Sequence, residues 1–320
     1  MLDLAIVIVN YNVAPLLRRC LHAVFNSEGG CTFEVCVVDN NSQDDSVAMV
    51  RSEFPDVKLI ANQANVGYPA ANNQGLRALA VAPEATGRGE DVPRYAVLLN
   101  PDTEVPPNAF VDLAGYMDAH ADVGVVGPKL VLPDGSLDLA CRRGFDSMSA
   151  LVYRMVGLSR LFPRSPRFGR YNMTYLDENE MAEVDSVVGA FMMVRTAALQ
   201  GVGLLDDRFW MYGEDLDWAK RIKNAGWRVV YNPAVTVLHV KRASSRQNPR
   251  AQPEFYRAML IFYYKHYRQT TSFLLHLLVL MGIALKGGRE VWRDVLAGAS
   301  ILNRKPFGGE QPPPSAVSVS

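Results

Sequence analysis

Residues 33–54 read FEVCVVDNNSQDDSVAMVRSEF. An apolar run stops at Asp39, a polar turn of Asn, Ser, Gln and Asp follows, and SVAMVRSEF then reads as a helix. Working outward, the same grammar repeats. Upstream, LAIVIV at residues 4–9 is continuous and largely β-branched, as expected for a strand covered on both faces, and APLLRRCLHAVFNS repeats apolar positions at helical spacing. Downstream, VKLIANQANVG reads as a third strand and YAVLLN at residues 95–100 as another. Strand alternating with helix implies right-handed crossovers and a largely parallel sheet, so the fold class is α/β. Ligands of such sheets lie beyond the carboxyl ends of the strands. Polar residues gather at those ends: Asn10, Tyr11 and Asn12 after the first, Asp39 to Ser42 after the second, Asn100 to Asp102 after YAVLLN.

Further along, VDSVVGAFMMVR at 184–195 reads as a strand, EDLDWAKRIKNAGW as a helix closed at Gly226, and RVVYNPAVTVLHV at 228–240 as a strand. On the helix Leu216, Ala219 and Ile222 read as the inner face, which turns Asp217 and Lys220 outward. APEATGRGEDVPR at 82–94 reads as a surface insertion, and GGEQPPPSAVSVS as a disordered tail. SRLFPRSPRFGR brings Arg160, Arg164, Arg167 and Arg170 together without an acid, either as a solvated loop or as a contact for a phosphate-bearing acceptor or anionic membrane.

The totals exclude several classes. Of 320 residues, 33 are basic and 33 acidic, so no global field draws the chain to nucleic acid. Four cysteines without a CxxC pair or zinc spacing argue against a zinc knuckle or disulfide framework and fit a reducing cytoplasm. MLDLAIVIVNYN lacks a basic leader and reads as a strand, not a signal peptide. FLLHLLVLMGIAL, residues 273–285, is shorter than the roughly 20 residues of a spanning helix. It reads either as a buried helix or as one lying in a membrane interface, beside Lys241, Arg242, Arg246, Arg257, Lys265 and Arg268. The second reading gives a peripheral location at the inner face of the plasma membrane.

The strand ends also carry candidate chemistry. The VNYN turn lacks the GxGxxG of a dinucleotide fold and the glycine-rich basic loop of a nucleotidyltransferase. Asp39 suits a base or ribose hydroxyl, or equally an Asx turn. In NVGYPAANNQG the small Ala70 and Ala71 leave room for a ligand, and the amides of Asn65, Asn72 and Asn73 either hold it or brace the turn. In LLNPDTE the proline fixes the backbone and projects Asp102, where a divalent cation could bridge it to a diphosphate, with His239 as the further side chain.

Taken in order, IVIVNYN, VVDNNSQDDS, NVGYPAANNQG, LLNPDTEV, VGPKLVLPDGSLD, VVGAFMMVR and LLDDRFWMYGEDLDWAKRIKNAGWRVVYNPAVTVLHV resemble the family 2 glycosyltransferases of GT-A fold, within them the rhamnosyltransferase-like members. The resemblance covers roughly residues 4 to 245, giving a catalytic domain over 1–245; the residues beyond it read as a helical region at 246–303, either membrane-associating or a cap on the catalytic domain, and a disordered tail at 304–320. It implies that Asn10, Tyr11, Asn12, Asp39, Asn65, Asn73, Asn100 and Asp102 bind the nucleotide-sugar. Asn100 to Asp102 stands in place of the family's Asp-x-Asp metal motif, with Asn100 for its first acid. It implies Asp102 and His239 as metal ligands, Mg²⁺ or Mn²⁺ as cofactor, and Asp215, beside Glu214, as catalytic base. The expected reaction is inverting transfer of a sugar, rhamnose from a dTDP donor or another from a UDP donor, to a glycan or lipid-linked acceptor of cell-surface polysaccharide synthesis. Such a transfer needs one acid to accept the acceptor's proton and a charge to steady the leaving diphosphate, and no covalent nucleophile. Gly189 leaves room for the acceptor, and Trp210 and Tyr212 either stack on it or pack in the core. Two rivals stand: a sugar-phosphate nucleotidyltransferase, and a non-catalytic nucleotide-sugar-binding protein.

Overall fold

A computed structural model describes residues 2–83, 92–144, 148–241, 250–305 and 307. Most of the 82–94 insertion, Arg242, Arg246 and nearly all of the tail lie outside the described residues. The first half is a run of parallel strands with covering helices: β1 (Leu4–Asn10), α1 (Ala14–Phe25), β2 (Phe33–Asp39), α2 (Ser46–Glu53), β3 (Lys58–Ala61), α3 (Tyr68–Ala78) and β4 (Tyr95–Leu99). All seven residues of β1 are buried, as the continuous β-branched run requires of a strand covered on both faces. The helix α3 lies close on β1 because Gly75 has no side chain: a Cβ there would come within 2.5 Å of Val7 Cγ1.

The second half comprises β5 (Thr103–Glu104), α4 (Ala109–Ala119), β6 (Val123–Val131), α5 (Met148–Met155), α6 (Leu158–Leu161), β7 (Ala182–Glu183), β8 (Phe191–Arg195), α7 (Thr196–Val202), α8 (Glu214–Asn224) and β9 (Arg228–His239). Among the described residues the sheet has nine strands in the order β3-β2-β1-β4-β8-β6-β9-β5, with β7 pairing β9. Pairing is parallel through β3, β2, β1 and β4, and turns antiparallel where β8 enters between β4 and β6. The strand expected over 184–195 is shorter than its apolar run. Only Phe191–Arg195 pairs as β8, while Ser186 forms an isolated bridge with Arg143 instead.

Three helices complete the chain: α9 (Ala251–His266), α10 (Phe273–Gly287) and α11 (Arg289–Ala297). Their buried residues Leu260, Ile261, Tyr263, Val279, Ile283 and Val291 form a second core that takes in Phe209 and Leu216. Asp217 corrects the expected outward face of α8. It is fully buried because α9 covers that side, bringing Lys265 Nζ and His266 Nε2 each to 2.7 Å, while Arg221 reaches it at 2.9 Å along the helix. Burial opposes ionisation of Asp217, but His266, Arg221 and Lys265 hold its carboxyl below the usual range. Arg170 likewise has an acid partner, Asp185 at 3.5 Å.

Candidate functional site

Parallel register sets the first wall. Asn10 stands opposite Asp39, and Ile8 opposite Leu99, so the polar residues after β1, β2 and β4 share one edge of the sheet. There Asp39 is buried and braces the turn that follows β2. Oδ2 accepts from Ser42 N at 2.8 Å, and Oδ1 from Ser42 Oγ at 2.6 Å and Asn10 Nδ2 at 2.8 Å. Asn10 leaves its own Oδ1 buried without a partner. Asn12, at φ +54°, accepts from Gln43 N at 2.7 Å, and Tyr11 beside it is half-buried.

The second wall opens α3. Asn65 Oδ1 accepts from Gly67 N at 3.0 Å. Gly67, at φ +87°, passes so near Trp210 that a Cβ would come within 2.5 Å of its carbonyl oxygen. The donor-binding expectation for Asn73 gives way to a structural one. Its amide donates to Leu205 O at 2.8 Å and accepts from Leu205 N at 3.1 Å, tying α3 to the segment before α8. Asn72 donates to Tyr68 O and keeps a buried, unpartnered Oδ1. Of the two readings left open for Trp210, stacking on the acceptor or core packing, the structure has the second: only 1% exposed, it packs beneath Gly67. Tyr212 remains half-buried, its ring edge-on to Phe255.

The third wall joins Asp102 to His239. Antiparallel pairing of β5 with β9 sets Thr103 opposite His239, which brings Asp102 Oδ1 within 3.5 Å of His239 Nε2. The other ring nitrogen meets Asp138 Oδ2 at 2.9 Å, and Lys241 also pairs with Asp138. Burial works against His239's positive charge, yet Asp102 and Asp138 outweigh it and raise its pKa to about 9. Burial likewise opposes the Asp138 carboxylate, but His239, Lys241 and Ala140 N–H hold it well below the usual range. Asp138, last residue of the motif VGPKLVLPDGSLD, went unassigned in the sequence because an acid after a Gly-Ser turn reads as turn chemistry.

These donors fit a divalent cation in part. Two buried ligands stand side by side, and the carboxylate behind the imidazole is the usual arrangement for orienting a metal-ligating histidine. Among the described residues no three His, Cys, Asp or Glu side chains form a metal-holding group, since His239 sits between its two acids. Any cation there would need substrate oxygens and water for the rest of its shell.

The fourth wall carries the acids of α8. Tyr212 at φ +71° and Gly213 at +78° make a left-handed bend that turns the chain into the helix. Asp215 Oδ2 accepts from Arg143 at 2.7 Å and from Gly189 N at 3.0 Å, and Oδ1 from Leu216 N at 2.7 Å. Arg143 also donates to Val187 O at 2.8 Å, and its pairing with buried Asp215 keeps its pKa raised despite burial. Nothing in the local sequence singles out Arg143, which lies 72 residues before its partner. Glu214 differs: it is buried, its Oε2 has no partner, and burial followed by the charge of Asp215 pushes its pKa up to about 8.

Tyr68 ties the walls together. Its hydroxyl lies 3.1 Å from Asn100 Oδ1 and 2.9 Å from Gly189 O. Burial first, and then the charges of Glu214, Asp215 and Asp102, raise its pKa well above the ordinary phenol value. The acid after β4 and the acids of α8 therefore act on one side chain across one cleft. A Cβ on Gly189 would sit 3.3 Å from the Tyr68 hydroxyl and 3.7 Å from Asp215 Cβ, so glycine keeps this gap open.

The profile of Glycosyl transferase family 2 matches residues 5–201. The chain is 31% identical over 248 residues to the N-acetylglucosaminyl-diphospho-decaprenol L-rhamnosyltransferase of Mycobacterium tuberculosis, covering 77% of this chain and 78% of that one. It is 26% identical to the O-antigen biosynthesis protein RfbC of Myxococcus xanthus, over 78% of this chain but 18% of that protein. Among solved structures it resembles the mannosyltransferase PcManGT of Pyrobaculum calidifontis in complex with GDP-Man and Mn²⁺. There the TM-score is 0.55 and identity 17%, over 95% of this chain and 81% of the other. It also resembles GalNAc-T7 with UDP, GalNAc and Mn²⁺, with TM-score 0.55 and 15% identity, over 85% of this chain and 52% of the other. At such identities the structural likeness speaks for the fold alone, which is that of the GT-A glycosyltransferases.

Proposed function

Since the chain belongs to glycosyl transferase family 2, we propose that it is an inverting transferase moving rhamnose from a dTDP donor to a lipid-linked acceptor at the inner face of the plasma membrane. The mycobacterial relative, named for an L-rhamnosyl transfer to a diphospho-decaprenol acceptor, supports the choice of sugar and acceptor. The observation that carries the chemistry is the Tyr68 hydroxyl, which reaches Asn100 Oδ1 of the Asn100–Asp102 turn and Gly189 O, while Gly189 N donates to Asp215. An acid suited to the leaving group and one suited to the acceptor share a cleft.

In this reading Asp39, braced by Asn10 and Ser42, meets the nucleoside, and Tyr11, Asn12, Asn65 and Asn100 line the donor's path. Asp102 and His239, the latter oriented by Asp138, would hold Mg²⁺ or Mn²⁺. A bound cation would supply positive charge to the departing diphosphate. Asp215 accepts the acceptor hydroxyl's proton, its carboxylate aimed by Gly189 N and Arg143. Arg143 holds that carboxylate in place before the acceptor arrives. Glu214, protonated at neutral pH, adds no second negative charge beside it. Gly189 and Tyr212 face the acceptor.

The test is a thermal-shift panel of nucleotide sugars with and without Mn²⁺ or Mg²⁺, followed by transfer to a GlcNAc-diphospho-lipid analogue. Metal-dependent stabilisation by dTDP-rhamnose, and a product with inverted anomeric configuration, are expected. Pyrophosphate released from a sugar phosphate and a nucleoside triphosphate would instead identify a nucleotidyltransferase. Stabilisation by the donor without transfer would identify a binding protein.

A further inference from the structure

We propose that the outward faces of α10 and α11 form a docking surface for an anionic lipid bilayer. The inference rests on the proposed lipid-linked acceptor for its purpose and on the surface itself for its substance. α10 is apolar apart from His276, which is hydrogen-bonded to Tyr263 at 2.7 Å, and Lys286 in its last turn. Val279 and Ile283 are buried, but Phe273, Leu274, Leu277, Leu278, Met281 and Leu285 are exposed, Leu274 to 70% and Leu285 to 73%. At about 100° per residue these six fall in one stripe, opposite the buried pair. A helix resting on a globular domain in water carries polar residues on that stripe; one apolar all round belongs in a core or a lipid phase. At 15 residues α10 is about 22 Å long, short of the roughly 30 Å hydrocarbon layer, and among the described residues no helix is long and apolar enough to cross a membrane. It suits the interface plane.

α11 supplies the matching charge. Trp292 and Leu296 are exposed beside Arg289 and Arg293, which are exposed and form no ion pair among the described residues. Of the two acids on α11, Asp294 is taken by Arg257 at 2.7 Å, and exposed Glu290 lies about 100° round the helix from Arg289, on the flank away from Trp292 and Leu296. Trp292 Nε1 donates to Ala284 O at 2.9 Å, which pins its ring half-exposed next to Leu285, in the manner of an interfacial tryptophan. Lys286, also exposed, stands at the end of α10. An apolar stripe edged by cations complements acyl chains beneath lipid phosphates. The surface is also fixed relative to the cleft, since α9, packed on α10, holds Asp217 of the catalytic helix through Lys265 and His266.

Flotation of the full chain with vesicles of phosphatidylcholine alone, or mixed with phosphatidylglycerol, tests this. The wild type is expected to float with the anionic vesicles. The double variant Leu274→Glu, Leu278→Glu should lose about tenfold or more in partitioning, and Arg289→Glu, Arg293→Glu should lose binding to anionic vesicles together with its salt sensitivity. Donor-induced thermal stabilisation and transfer to a water-soluble acceptor analogue should be unchanged in both. Failure of vesicle binding thus speaks against the surface, and failure of transfer against the proposed function. Absence of wild-type binding, or equal binding by the leucine variant, would overturn the proposal. So would a wild-type dimer in light scattering that the leucine variant dissolves without any vesicle affinity.

Discussion

Asp39 and Glu214 are both buried carboxyl groups beside the same sheet edge, and their surroundings differ in kind. Asp39 receives a main-chain N–H, a hydroxyl and an amide, all from residues within the donor wall. Glu214 has an oxygen with no partner and a neighbouring acid that discourages its charge. A satisfied buried carboxylate braces a loop; an unsatisfied one is a destabilising group tolerated where something else is gained. Under the proposed function, the difference separates a donor wall already satisfied by its own hydrogen bonds from a catalytic wall that carries an unsatisfied acid.

The contrast predicts unequal consequences. Asp215→Asn keeps the shape of the catalytic wall but removes the proton acceptor, so transfer should fall by about a thousandfold while donor-induced thermal stabilisation persists. Normal turnover in single-cycle assays of that variant would remove Asp215 from the proposed role. Asp138→Asn loosens His239 from behind, and the Mn²⁺ concentration for half-maximal transfer should rise by about 10- to 100-fold. An unchanged metal titration would leave Asp138 a merely structural acid.

Glu214→Gln and Asp39→Asn should then move stability in opposite directions. Glu214 has a folded pKa of about 8 against an ordinary 4.5, so the stability its protonated form provides is full below about pH 4.5, declines as pH rises, and is gone above about 8. Glutamine cannot ionise. The melting temperature of Glu214→Gln should therefore be flatter over that interval and exceed wild type at pH 8.5. Asp39→Asn replaces one of two acceptor oxygens by an amide nitrogen before three donors and should cost about 1–2 kcal/mol in denaturant melts. Its effect on transfer should appear mainly in the donor concentration required. Destabilisation by both variants at pH 8.5 would erase the distinction between the two walls.

Much of this was legible in residue order. The apolar runs of β1, β2 and β4 and the polar turns after them state where a ligand edge must lie, because a side chain's burial on both faces is written in its composition. Asp102, His239 and Asp215 stood out as acids or imidazole at element ends. Asn73 and Trp210 were legible only as types. Whether an amide faces a ligand or a main chain depends on Leu205, 132 residues away, and whether an indole is a platform or a core group depends on Gly67 beneath which it packs. Asp217 misled for a similar reason. A charged residue on a helix reads as outward until another helix brings the cations that make its burial affordable.

By itself the sequence determined the α/β class, the order of strands and helices, and the candidate acids, since periodicity and turn chemistry act over a few residues. Only the tertiary structure decided which polar groups meet. It brought Asp138 behind His239, Arg143 onto Asp215 and Tyr68 between the acids, and it left the stripe of α10 uncovered. Hydrogen bonds and ion pairs act over about 3 Å, and nothing in local sequence specifies which distant segment folding will bring within that reach.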